Sequence, residues 1–191
     1  TQPDKPAGRG KKMRPPAVKK FAEAEGISVF QTRRIRKSEQ ALPLLESLKP
    51  DLHVVVAFGQ IIPSSLIFLP RFNSINVHFS LLPAYRGASP VQWAVLRGEK
   101  TTGITIFELN EKMDEGDILS QLEVPISDGE TAVELEERLA ETGASLLAST
   151  VARIESLPKI PQDHSLATYA PLIKKEDGRA DWTRSAGHIS R

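Results

Sequence analysis

The chain has 191 residues, 40% hydrophobic, 26% charged and 6% aromatic, a globular balance with enough length to bury one sizeable core. It has no cysteine and four scattered histidines (His53, His78, His164, His188), which excludes disulfide scaffolds, cysteine nucleophiles and thiolate metal sites and lends no support to metal chemistry. There is no run of roughly 18 uncharged apolar residues and no basic-then-apolar leader, so the expectation is a soluble intracellular protein without a membrane span.

Net charge is +1, but unevenly spread: residues 1–37 carry 11 Lys/Arg against 3 Asp/Glu, and residues 38–191 carry 14 against 21. The basic stretch lacks an apolar face, so a phosphate-rich nucleic acid suits it better than a membrane; the plain alternative is a solvated loop.

In chain order, residues 1–16 hold four prolines and two glycines and almost no large apolar side chain, which predicts a long basic loop. A helical pattern follows from Ala17 to about Gly26. Ile27 to Gln31 reads as a short strand, and Ser38 to Leu48 as a helix that Pro43 should kink. Leu52 to Ala57 is an apolar, β-branched run that suits a strand buried on both faces of a parallel sheet. Pro63 to Leu69 predicts a short helix, Ser74 to Val77 a strand, and Ser89 to Arg97 a helix stopped by Gly98. Gly103 to Leu109 and Ile118 to Ile126 read as strands. From Thr131 to about Leu157 runs a long amphipathic helix whose stripe of Leu135, Leu139, Leu146 and Ile154 should face the core. The last residues, DWTRSAGHISR, resume a helical pattern.

Such alternation predicts an α/β sheet with helices on both faces, and ligands bind such sheets beyond the carboxyl ends of their strands. The loops after Ala57 and Val77 are therefore the places to look. Asn76 and His78 lie two apart in INVHFSLLP, so on a strand end they share a face. Tyr85-Arg86-Gly87 follows, with an arginine suited to an anion or a carbonyl. Asp114 and Asp117 sit in the acidic turn MDEGD, and a carboxylate beside an imidazole orients it for proton transfer. Each residue also has a plain reading: a satisfied buried histidine, a turn asparagine, a solvated acidic turn. No GxSxG elbow, GxxxxGK[ST] loop or GxGxxG turn occurs.

Taken together, INVHFSLLPAYRGASPVQWAVLRGEKTTGITIFELNEKMDEGDIL resembles the core of the formyltransferases that use 10-formyltetrahydrofolate, and most of all their tRNA-directed branch. TQPDKPAGRGKKMRPPAVKKFAEAEGI resembles that branch's basic loop, PDLHVVVAFGQIIP its folate-side strand and turn, and TYAPLIKKEDGRADW the end of its catalytic domain. The resemblance implies the formyltransferase fold, a Rossmann-like, mostly parallel sheet. It also implies a catalytic domain over 1–175 that lacks the family's first strand, and a linker from 176–191 toward a C-terminal barrel that is not in this sequence.

The implied reaction moves a formyl group from 10-formyltetrahydrofolate to the α-amine of methionyl initiator tRNA, with no metal. Asn76, His78 and Asp114 match the family's catalytic triplet. Asn76 and a protonated His78 would donate to the formyl oxygen, and Asp114 would steady the imidazolium. Ser80, Leu81, Leu82 and Pro83 match the folate-contacting loop, and Phe58 to Ile61 would line the pterin pocket. Arg9, Lys11, Lys12 and Arg14 fall in the loop at the tRNA acceptor end. A monomer in the bacterial cytoplasm is implied, with an organelle as the alternative setting. Competing expectations are a related folate-dependent formyltransferase, a formyltetrahydrofolate hydrolase, or a fragment that binds folate or RNA without turnover.

Overall fold

A computed structural model describes residues 1–8 and 10–190. The basic front is more regular than a loop. β1 (Lys5–Ala7) and β2 (Lys12–Arg14) pair antiparallel, Lys5 opposite Arg14 and Pro6 opposite Met13. A two-stranded hairpin is marginal alone, and this one is held by polar ties in place of a core, Lys19 Nζ pairing with Asp4 at 3.0 Å and Gln2 Nε2 donating to Phe58 O at 2.9 Å. α1 (Ala17–Ala24) follows. The expected strand at Ile27 to Gln31 joins no ladder; Phe30 O instead accepts the Thr1 ammonium at 2.7 Å, and the Gln31 amide donates to Gln2 O and Asp4 Oδ1. α2 (Ala41–Leu48) starts later than predicted, which puts Pro43 in the first turn. The missing N–H there has no intrahelical partner to lose, so the predicted kink does not arise.

Four strands form the main sheet in the order β3 (His53–Val56), β4 (Ser74–His78), β5 (Thr101–Glu108), β6 (Ile118–Pro125). The α/β class holds, but the expected mostly parallel sheet is mixed among the described strands. β3 and β4 run parallel, whereas β4–β5 and β5–β6 are antiparallel. The short turns around Asn110 to Asp117 return the chain antiparallel from β5 to β6. The longer link from His78 to Thr101 would also permit a parallel pair, and its antiparallel outcome is a feature of the fold. β3 is the outermost of the described strands, so Val54 and Val56, expected to be buried on both faces, are 45% and 49% exposed, in keeping with the expected lack of the family's first strand.

Helices cover both faces, as expected. On one face Ile75, Val77, Ile104 and Ile106 pack with Val91 and Val95 of α4 (Pro90–Arg97) and with Leu135 and Leu139 of α5 (Ala132–Val151). Burying each such side chain stabilises by about 1.5–3 kcal/mol. Thr131 caps α5 in a reciprocal pair with Glu134, and Gly98 at φ 70° ends α4. On the other face α3 (Ser64–Ile67) lies against β3 and β4, with Ser74 Oγ donating to Ile67 O at 2.7 Å. Phe107, Leu82 and Ile118 make a second, smaller core there.

The chain beyond α5 returns across the sheet, to end in the short α6 (Ala186–Ile189). Ile160 bridges Ile118, and Tyr169 bridges Arg86. Trp93 Nε1 donates to Pro171 O at 2.7 Å. Among the described residues no helix is long and apolar enough to cross a membrane.

Candidate active site

β3 and β4 run parallel with Val56 opposite Val77, so Phe58 to Ile61 and the segment after His78 leave the sheet at one edge. Asn76 and His78 share the face that holds Phe107 and Thr105, their opposite residues on β5. His78 is 6% exposed and meets the Phe107 ring edge-on. Its Nε2 donates to Tyr85 O at 2.9 Å, since a carbonyl can only accept. Its Nδ1 faces Asp114 Oδ2 at 3.9 Å. Both ring nitrogens thus face oxygen acceptors, Nε2 within hydrogen-bond distance and Nδ1 just beyond it. Asn76 is half-buried, and its side chain has no hydrogen-bond partner among the described residues. That amide is the open donor of the site.

Asp114 reaches His78 from the turn after β5. Its backbone is left-handed, φ 55°, and its carboxylate accepts from Gly87 N at 2.8 Å. Tyr85, across the site, is also left-handed at φ 60°. Such conformations in non-glycine residues persist where surrounding contacts enforce them, and they collect at functional sites. Gly116 two residues on has no room for a side chain, because an added Cβ would lie 1.7 Å from Glu108 O. Burial, with Glu99 as hydrogen-bond acceptor, raises the Tyr85 phenol above its usual value.

The structure therefore brings Asn76, His78 and Asp114 to one place. The Ser80–Pro83 loop runs beside them, tied down from within: Ser80 Oγ donates to Ala84 O at 2.6 Å, Thr105 Oγ1 donates to Ser80 O at 2.6 Å, and Gln121 Nε2 donates to Leu82 O at 2.8 Å. Ser80 and Leu82 point inward, while Leu81 and Pro83 are half-buried. In the Phe58 to Ile61 turn, Phe58 O accepts from Gln2 Nε2 and Gln60 Oε1 accepts from Ile35 N, so the base of the basic hairpin is fastened to the same sheet edge. Lys11, Lys12 and Arg14 are exposed and form no ion pair among the described residues; Arg9 lies outside the described residues. Asp117 takes no side-chain part, and its carbonyl accepts from Glu108 N.

Arg86 corrects the expectation of an anion-holding arginine. It is 1% exposed, and its guanidinium is spent on Gln162, His164 and Glu115. Gln162 was invisible to sequence reasoning, because nothing in PQDHS marks a glutamine that will reach 48 positions back to Asp114 O. The Asp114 turn also borders a depression of about 340 Å³ lined by Phe68, Asn110, Glu111, Lys112, Glu115 and His164. No group of three or more metal-ligating side chains stands together among the described residues.

Residues 1–151 match the formyl transferase family pattern. The methionyl-tRNA formyltransferase of Synechococcus sp. (strain JA-3-3Ab) is 50% identical over 187 residues, which are 97% of this chain and 58% of that protein. The same enzyme of Alkaliphilus oremlandii (strain OhILAs) is 48% identical over 191 residues, 99% of this chain and 61% of its own. The chain thus spans about three-fifths of the length of these relatives. Among solved structures, the formyltransferase PseJ from Anoxybacillus kamchatkensis, in complex with a formamido sugar nucleotide and tetrahydrofolate, superposes with a TM-score of 0.66 at 24% identity, covering 91% of this chain and 88% of that one. With 48–50% identity over nearly its whole length and a family match that reaches through α5, this chain belongs to the formyl transferase family.

Proposed function

We propose that this chain carries the active site of an enzyme that moves a formyl group from 10-formyltetrahydrofolate to the α-amine of methionyl initiator tRNA, for translation initiation. The observation that carries this reading is the meeting of His78 with Asp114 beside the unpartnered Asn76 amide, in a chain half identical to proteins named for that reaction. PseJ, which holds tetrahydrofolate, supports folate as the formyl donor.

In this reading the Asn76 amide donates to the formyl oxygen as negative charge gathers there, an interaction strongest in the transition state. The amine nitrogen bonds to the formyl carbon, and the bond from that carbon to the folate nitrogen breaks. The proton lost by the amine passes through the His78–Asp114 pair to the departing nitrogen, so charge and atoms balance. Tyr85 O and Asp114 hold the ring in one orientation throughout. Ser80, Leu81, Leu82 and Pro83 shape the folate-side wall. Arg9, Lys11, Lys12 and Arg14 attract the acceptor end of the tRNA through its phosphates, which adds affinity and salt dependence with little base information. The catalytic domain extends over 1–175, with 176–191 as the start of a linker. The protein acts as a monomer in the bacterial cytoplasm.

The test is formyl transfer from 10-formyltetrahydrofolate to methionyl initiator tRNA by the natural full-length polypeptide. Formyl-methionyl-tRNA as product supports the reading. Formate release without an acceptor, or formylation of a sugar amine in place of the tRNA, overturns the tRNA assignment.

A further inference from the structure

The catalytic carboxylate proposed above stands on a left-handed residue of a turn, and the carbonyls of Asp114 and Gly116 accept from no backbone N–H among the described residues. Both are taken by one side chain. Gln162 Nε2 donates to Asp114 O at 2.9 Å and to Gly116 O at 2.8 Å. At the other end of the same amide, Gln162 Oε1 accepts from Arg86 Nε at 3.2 Å and from Nη2 at 2.6 Å.

Each partner has its orientation forced. The arginine can only donate, so it fixes which end of the amide is oxygen, and the NH₂ end must then face the Asp114 turn. Glu115 Oε1 lies 3.4 Å from Arg86 Nη1 and balances the buried charge. His164 Nδ1 is 3.0 Å from Nη2. Arg86 is itself clamped, its N–H donating to Thr168 O at 2.8 Å and its carbonyl accepting from Ala170 N at 2.7 Å. Gln162 is 7% exposed and lies beyond the residues 1–151 that match the family pattern.

We infer that Gln162, oriented by Arg86, is a positioning residue that holds the Asp114 turn so that its carboxylate stands opposite His78, making the strap after α5 part of the active site. An amide suits the task because it accepts a guanidinium at one end and donates to two carbonyls at the other. Leucine or methionine leaves those carbonyls unpaired, and glutamate turns an acceptor toward them. A displaced catalytic group loses rate while substrates still bind, because binding does not depend on the last ångström of its placement.

This inference rests on the reading of His78 and Asp114 given above, and the test separates the two. In the natural full-length polypeptide, kcat and both KM values are measured for Gln162→Leu, Asp114→Asn and the double variant, each with its melting temperature. Because Gln162→Leu strands the Arg86 charge, Arg86→Met/Gln162→Met, which removes donor and acceptor together, serves as the folded control. The expected result is a kcat loss on the order of 10²-fold in the Gln162 variants, with KM values within about 3-fold. The double Asp114→Asn/Gln162→Leu variant is no slower than Asp114→Asn alone. Full kcat in the Arg86→Met/Gln162→Met protein, or losses that multiply in the double variant, overturns the inference while the site reading stands. Full kcat in Asp114→Asn overturns the site reading and the inference with it.

Discussion

His78 Nδ1 stands 3.9 Å from Asp114 Oδ2 while its opposite nitrogen donates to Tyr85 O, so the imidazole is fixed at Nε2 and presents Nδ1 to the carboxylate. A ring oriented in this way can pass protons at Nδ1 without turning. Its loss therefore removes a step of chemistry and leaves binding intact. His78→Ala and Asp114→Asn are expected to lower kcat by about 10²–10⁴-fold, and Asn76→Ala by about 10²–10³-fold. Steady-state kinetics that place these losses in KM instead would assign the three residues to substrate binding.

The exposed, unpaired Lys11, Lys12 and Arg14 of the hairpin predict a second kinetic signature. Changing each to alanine should raise KM for the tRNA and leave KM for the folate unchanged. The slope of log affinity against log salt should become shallower by about one for each phosphate that is no longer neutralised. Titrations across ionic strength read this directly, and slopes identical to the parent protein would remove the hairpin from the tRNA interface.

Two glycines predict stability effects of opposite size. An added Cβ at Gly116 would meet Glu108 O at 1.7 Å, and the obstacle is backbone, whereas Gly178 has nothing within 4 Å. Gly116→Ala should cost about 2 kcal/mol or more and lower the melting temperature by several degrees, as overpacking does. Gly178→Ala should stay within about 0.5 kcal/mol. Thermal unfolding of the two variants side by side checks the pair.

His53 predicts a pH dependence. Burial lowers its pKa below the ordinary 6.5, against a smaller opposing effect of the Leu66 carbonyl, and its Nε2 is buried without a hydrogen-bond partner among the described residues. The folded state therefore resists protonation more than the unfolded chain does. Above the unfolded value both states are neutral and the residue adds no slope. As pH falls through that value, the unfolded chain takes up the proton first, so stability declines. Urea midpoints between about pH 7.5 and pH 5.5 should fall, and His53→Gln should flatten the part of that fall due to this residue. A curve unchanged by the substitution would show that His53 does not contribute.

Much of this molecule is legible along the chain because its signals are local. Thr131 and Glu134 sit three apart and cap each other, Gly98 ends α4 in the left-handed region, and Asn76 and His78 share a face because strand side chains alternate. The Asp114 turn was also marked by its own residues, and the resemblance joined it to the strand pair. Pro43 misled because a proline is judged by its position in a helix, and the start of α2 was set three residues later than its apolar pattern.

The amino-acid sequence by itself determined most element types, though neither the β1–β2 hairpin nor the irregular course of Ile27 to Gln31. It also determined the shared face of Asn76 and His78, the basic front and the family, since each rests on short-range periodicity or on a contiguous motif. Only the tertiary structure decided that β5 and β6 run antiparallel to their neighbours and that Arg86 turns inward to Gln162, 76 positions away. Strand neighbours and buried polar partners are chosen by the free energy of the whole packed arrangement, in which every buried donor must find an acceptor. No window of local sequence contains that choice.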